Sequence, residues 1–96
     1  MTRRLAPKLE RKVTSIITEM LQGHDFEIRS VKIDEDWSGD EAVFVELWYK
    51  LSTSEFDPDL MIRVRSAVRA MLVDNDEDRF PYIRHHLPDG QKVKAA

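Results

Sequence analysis

The sequence predicts an α+β domain of two layers: an antiparallel three-stranded sheet covered on one face by two helices, in the order α-β-β-α-β. Three observations carry that prediction. Two segments repeat apolar residues every three or four positions. A third, Ala42 to Leu51, alternates apolar residues along its whole length. The chain has 96 residues, 42% hydrophobic and 34% charged, which suits one small core. We expect a single domain over residues 1–96, with 1–6 and 88–96 as flexible tails.

The first helix rests on Leu9, Val13, Ile16, Ile17, Met20 and Leu21, which share one stripe. Pro7 suits its first turn, and Gly23 suits the left-handed position just past its end. A strand follows through Phe26, Ile28, Val31 and Ile33. Its apolar positions switch from even to odd, so Arg29-Ser30 should hold a bulge. The polar stretch from Asp34 to Glu41 contains Ser38-Gly39 and reads as a hairpin turn. In the next strand Val43, Val45, Leu47, Tyr49 and Leu51 face the helices, which leaves Phe44 and Trp48 on the uncovered face.

The second helix has an N-cap in Asp57, a first-turn proline in Pro58 and a dipole-complementing acid in Asp59. Phe56 and Met61 stand at the spacing of a hydrophobic staple. Leu60, Met61, Val64, Val68, Met71 and Leu72 form its stripe, and the helix should stop near Val73. Asp74 to Asp78 reads as a solvated loop. Arg79 to Leu87 reads as a short last strand, with Pro81 suited to its start or to a sheet edge.

Several function classes find no support. There is no cysteine, hence no disulfide and no thiolate metal site, which sits easily with a cytoplasmic protein. No apolar run approaches the ~20 residues of a membrane span, and no apolar segment follows the basic start as in a secretory signal. No serine lies in a nucleophile elbow, and no phosphate-binding glycine loop is present. We therefore expect a protein that is not an enzyme and takes no cofactor.

Charge is laid out unevenly. Residues 1–12 hold five cations against one anion, a net of +4, whereas 25–59 hold three cations against eleven anions, a net of −8. Such asymmetry bears on association more than on fold. The basic residues Arg3, Arg4, Lys8, Arg11 and Lys12, with Arg69 of the second helix, are the candidates for nucleic-acid contact. Asp34-Glu35-Asp36-Trp37-Ser38-Gly39 matches the first half of a calcium loop, but Val45 stands where the bidentate glutamate belongs. An acidic hairpin tip is the plainer reading. His85 and His86 are adjacent on a strand and should point to opposite faces, so they do not ligate one ion. No metal site is expected.

Ile28 to Leu51, the helix from Asp57 and the strand around Tyr82-Ile83-Arg84 are similar in layout to the small KH-type II domains of the bacterial ribosome-binding factor A kind. The resemblance covers roughly residues 8–87 and implies binding to ribosomal RNA. This chain departs from the pattern in lacking a glycine loop between helices and in the acidity of its sheet segment. No residue role is carried over.

The sequence thus favours a small non-catalytic interaction module, contacting a protein partner or a second copy of itself, most simply as a homodimer, through the open sheet face. Trp37, Phe44 and Trp48 would make the apolar contact, with Glu46 and Lys50 at its rim. The alternative is an RNA- or ribosome-associated domain using the six cations named above. No contact with a membrane is expected.

Overall fold

Two amphipathic helices lie over one face of a sheet, as a computed structural model describes for residues 2–95. Met1 and Ala96, which belong to the expected tails, lie outside the described residues. In chain order the elements are β1 (Arg3–Arg4), α1 (Pro7–Met20), β2 (Phe26–Glu35), β3 (Glu41–Tyr49), α2 (Pro58–Asp74) and β4 (Phe80–His86). The fold is α+β, but the sheet has four strands and is mixed, not three antiparallel ones. Its order is β1-β2-β3-β4, and β4 runs parallel to β3.

Both differences have a physical reason. The 17 residues of α2 span about 25 Å, close to the ~30 Å length of β3. The helix therefore returns the chain to the end where β3 began, and the next strand must run alongside β3 in the same direction. Arg3 and Arg4 pair with Ile33 and Lys32 through backbone groups alone. Two residues display no period, so hydrophobic pattern gives no sign of β1. The two ends expected as flexible tails both carry tertiary contacts. Leu5 is fully buried in the core, and Phe56 exchanges backbone hydrogen bonds with Lys92 and Lys94 at 2.9 and 2.8 Å.

The predicted stripes converge on one core. Val13, Ile17 and Leu21 of the first helical segment and Met61, Val64, Val68 and Leu72 of α2 are buried against Val31, Ile33, Val43, Val45, Leu47 and Tyr49. At about 25 cal/mol per Å² of apolar area, this burial is the main stabilising contribution. Asp57 caps α2 by accepting from the Asp59 N–H at 3.0 Å. Gly23 takes φ +93°, a left-handed conformation that costs glycine nothing. The register of β2 against β3 shifts between Ile28 and Ser30, where the parity switch placed a bulge. That extra residue keeps Ile28, Val31 and Ile33 all on the core side.

The segment after α2 is less solvated than expected. Glu77 is buried, and its carboxylate accepts from the Arg79 guanidinium at 2.8 and 3.0 Å. The pairing offsets much of the cost of removing the charge from water. Leu51, expected on the inner face, lies beyond the end of β3 and is exposed.

Candidate interaction face

Alternation along β3 sends every second side chain away from the helices. Ala42, Phe44, Glu46 and Trp48 register with Phe80, Tyr82, Arg84 and His86 of β4. On the other side they register with Asp34, Lys32, Ser30 and Glu27 of β2. Both helices pack on the opposite face, although the Arg65 and Arg69 side chains of α2 reach round to Phe80 at one end of this one.

Its side chains cover one another instead. Phe44 stacks on Tyr82 with centroids 5.4 Å apart, and the Arg84 guanidinium lies 4.8 Å from the Phe44 ring. Only 5% of Phe44 is exposed. Phe44 thus lies on the face predicted for it but does not look out into water. Tyr82 also meets Trp37 edge-on at 5.2 Å and Phe80 at 5.0 Å, and Arg69 reaches over Phe80 at 4.8 Å. Trp48 stacks on His86 at 4.2 Å, while Arg29 lies 4.3 Å from the same indole. His86 comes from the β4 side and Arg29 from the β2 side, so both ring faces are occupied. Each such contact is worth roughly 0.5–1.5 kcal/mol.

Exposure then separates the two tryptophans. Trp48 is 41% exposed and presents an edge, whereas Trp37 is 84% exposed. Trp37 is carried by the β2–β3 connection, which closes on itself. Asp36 Oδ1 accepts from the Ser38 N–H at 2.9 Å, the Ser38 hydroxyl at 2.7 Å and the Asp40 N–H at 3.1 Å. The Ser38 hydroxyl, and then these backbone donors, hold the Asp36 carboxyl below its usual range. The turn is thereby fixed beneath the indole. Among the described residues no three histidine or carboxylate side chains converge as metal ligands.

Between the two tryptophans, Glu46 turns one oxygen toward Arg84 at 3.7 Å and His86 at 3.4 Å. Its Oε2 is buried and has no hydrogen-bond partner among the described residues. Lys50 lies just past β3, loosely paired with Asp25 at 3.9 Å. Beside Trp37 and Tyr82 an open cleft of 760 Å³ is lined by Asp36, Asp40, Glu41, Asp76, Glu77 and Asp78 with Arg69, Arg79 and Phe80. Six carboxylates against two guanidiniums give it negative character.

The predicted basic residues divide into two sets. Lys8, Arg11 and Lys12 line one shallow groove with Ser15, Ile16 and Met71. Arg3 is ion-paired with Glu41, Arg4 with Glu10 at 3.0 Å, and Arg69 sits over Phe80. Those three do not join the groove. Lys12 donates to Asn75 Oδ1 at 2.8 Å, tying α1 to the end of α2.

On the core side, Tyr49 and His85 share a hydrogen bond of 2.8 Å between the hydroxyl and Nδ1. Burial pushes the Tyr49 hydroxyl upward, and burial together with the adjacent His86 lowers His85 from 6.5 to about 4. His85 and His86 indeed point to opposite faces, one against Tyr49 and the other against Trp48.

Phe80, Tyr82, Arg84, His86 and Arg29 belong to the face and were not among the predicted residues. The signal was available in part: once Arg79 to Leu87 is read as a strand, its even positions fall on one face. The bulge that frees Arg29 was legible as well. No protein-family model, curated protein or solved structure matches the chain. The likeness to KH-type II domains therefore rests on the order of elements alone. No helix among the described residues is long and apolar enough to cross a membrane.

Proposed function

We propose that this protein is a non-catalytic interaction module that binds a protein partner through its uncovered sheet face, with Trp37 as the anchor. One observation carries the reading: an indole 84% exposed stands on a self-closed turn at the end of an aromatic row. Tryptophan in this position contributes a large contact area at little entropic cost, because its support is already ordered. The acidic cleft beside it fits a partner surface that flanks its apolar pocket with lysine or arginine. The covered rings of Phe44 and Trp48 support a flat protein contact over base stacking, since a base needs a free ring face. Tyr49, the hydroxyl beside His85, is buried and hard to ionise, which makes it a poor nucleophile.

Capture from lysate by the wild-type chain, by Trp37→Ala and by Trp48→Ala, each with and without nuclease, tests this. A protein retained after nuclease and lost on Trp37→Ala, with the fold intact, supports the reading. Capture indifferent to both tryptophans overturns it.

The groove of Lys8, Arg11 and Lys12 favours a second reading, an RNA- or ribosome-associated domain. That reading expects affinity for RNA to fall steeply with salt and to be lost on reversing those three charges. Association insensitive to salt would remove it.

A further inference from the structure

We infer that β4 pairs edge to edge with β4 of a second copy, antiparallel about a two-fold axis at Ile83, joining two four-stranded sheets into one of eight. Among the described residues the sheet order leaves β4 with a strand neighbour on one side only, with Arg65 and Arg69 of α2 reaching the Phe80 ring at its first residue. An open edge presents backbone donors and acceptors that template a further strand. The far end of the chain does not add a strand there, because Lys92 to Lys94 pair with Phe56 instead.

The sequence of the edge is complementary to its own reverse. Ile83 is the midpoint of Phe80–His86, so an axis there uses all seven residues of the strand. On the outer face this register sets Tyr82 opposite Arg84 of the second copy, and Phe80 opposite His86. Each aromatic ring meets a cation or an imidazole, the kind of pairing already seen inside one chain where Arg84 lies over Phe44. On the inner face Ile83 meets Ile83, extending the apolar layer that Ile83 already packs against. An axis at Arg84 would put two guanidiniums face to face. An axis at Tyr82 would slide the strand off its end onto Asp78.

Pro81 narrows the choice further. It has no N–H, so it fits an edge only where its nitrogen points away from β3. Residues 81, 83 and 85 then carry the outward hydrogen bonds. About Ile83, each Pro81 needs only to accept from the His85 N–H of the second copy.

The edge lies beside the face and shares Phe80, Tyr82, Arg84 and His86 with it, but its hydrogen bonds are backbone ones, so Trp37→Ala tells the failure of this inference from the failure of the partner reading. The pairing would set two copies of Trp37 and of its acidic cleft on the same side of one sheet.

Light scattering of the full chain at rising concentration tests it first. The expected mass is twice the 11.3 kDa of one chain, unchanged by Trp37→Ala. A mass of one chain up to about 1 mM, the weak end of specific association, overturns the inference. So does a dimer that Trp37→Ala dissociates, because the copies would then meet face to face. The register is tested with Tyr82→Cys and Arg84→Cys, since the chain has no cysteine of its own. These positions oppose each other as a non-hydrogen-bonded pair, with Cα atoms close enough for a disulfide. Oxidising a mixture of the two variants should give crosslinked heterodimer well above either homodimer. If dimeric variants crosslink no better mixed than alone, the register is wrong.

Discussion

The two faces of β3 are made from alternate residues of one nine-residue strand, yet they are held by different means. Val43, Val45, Leu47 and Tyr49 are buried because two helices lie on them. Phe44, Glu46 and Trp48 have no layer above them and are covered by their neighbours within the sheet. Cohesion on the first face comes from area removed from water. On the second it comes from stacked rings and guanidiniums, each contributing little. A face built this way tolerates exchange of its outermost groups without loss of the fold, which suits it to contact.

The sharpest way to break that comparison is Leu47→Ala. Leu47 is fully buried, and the change should destabilise the domain by about 2–5 kcal/mol in urea unfolding. A cost below 1 kcal/mol would mean that the inner face is not the main source of stability.

Acid sharpens it next. His85 sits on the inner side with its pKa lowered from 6.5 to about 4. As pH falls below 6.5 the unfolded chain takes up this proton before the folded one does. Stability from neutral His85 is therefore full above pH 6.5, is lost as pH falls, and levels off for this group below about 4. The loss should be on the order of 3 kcal/mol. Urea midpoints for wild type and His85→Leu across that window check it, and the variant should show the flatter profile. Equal slopes would remove His85 as the cause.

Trp48→Ala removes the stack on His86 and the contact with Arg29, and should cost about 1–2 kcal/mol. Trp37→Ala removes the single contact with Tyr82 and should cost no more than about 1 kcal/mol while abolishing partner capture. If Trp37→Ala destabilises more than Trp48→Ala, the indole serves the turn and not a partner.

Much of the fold is legible where neighbours in sequence decide the outcome. The parity switch around Arg29 gives the bulge, Asp57-Pro58 gives the start of α2, and alternation in β3 gives both faces. What escapes is set by distant partners. The direction of β4 depends on α2 returning the chain, and β1 exists because the backbone of Ile33 and Lys32 is there to pair with. The burial of Phe44 depends on Tyr82, 38 positions further along the chain. The basic residues look like one patch along the chain, yet Arg3 and Arg4 are drawn into ion pairs with Glu41 and Glu10.

β3 joins a hairpin on one side and a crossover on the other, and these two seams differ in the time they take to form. The turn at Asp36 to Asp40 brings β2 onto β3 after closing a loop of a few residues. The β3–β4 seam must wait until all of α2 has been folded back. β4 should thus join β3 after β2 does and, in native-state hydrogen exchange, its amides should open before those of β2. The aromatic row is completed only by Tyr82 and His86, so a nascent or locally frayed chain carries Trp37 without its platform. Capture by this face would then report on a finished molecule.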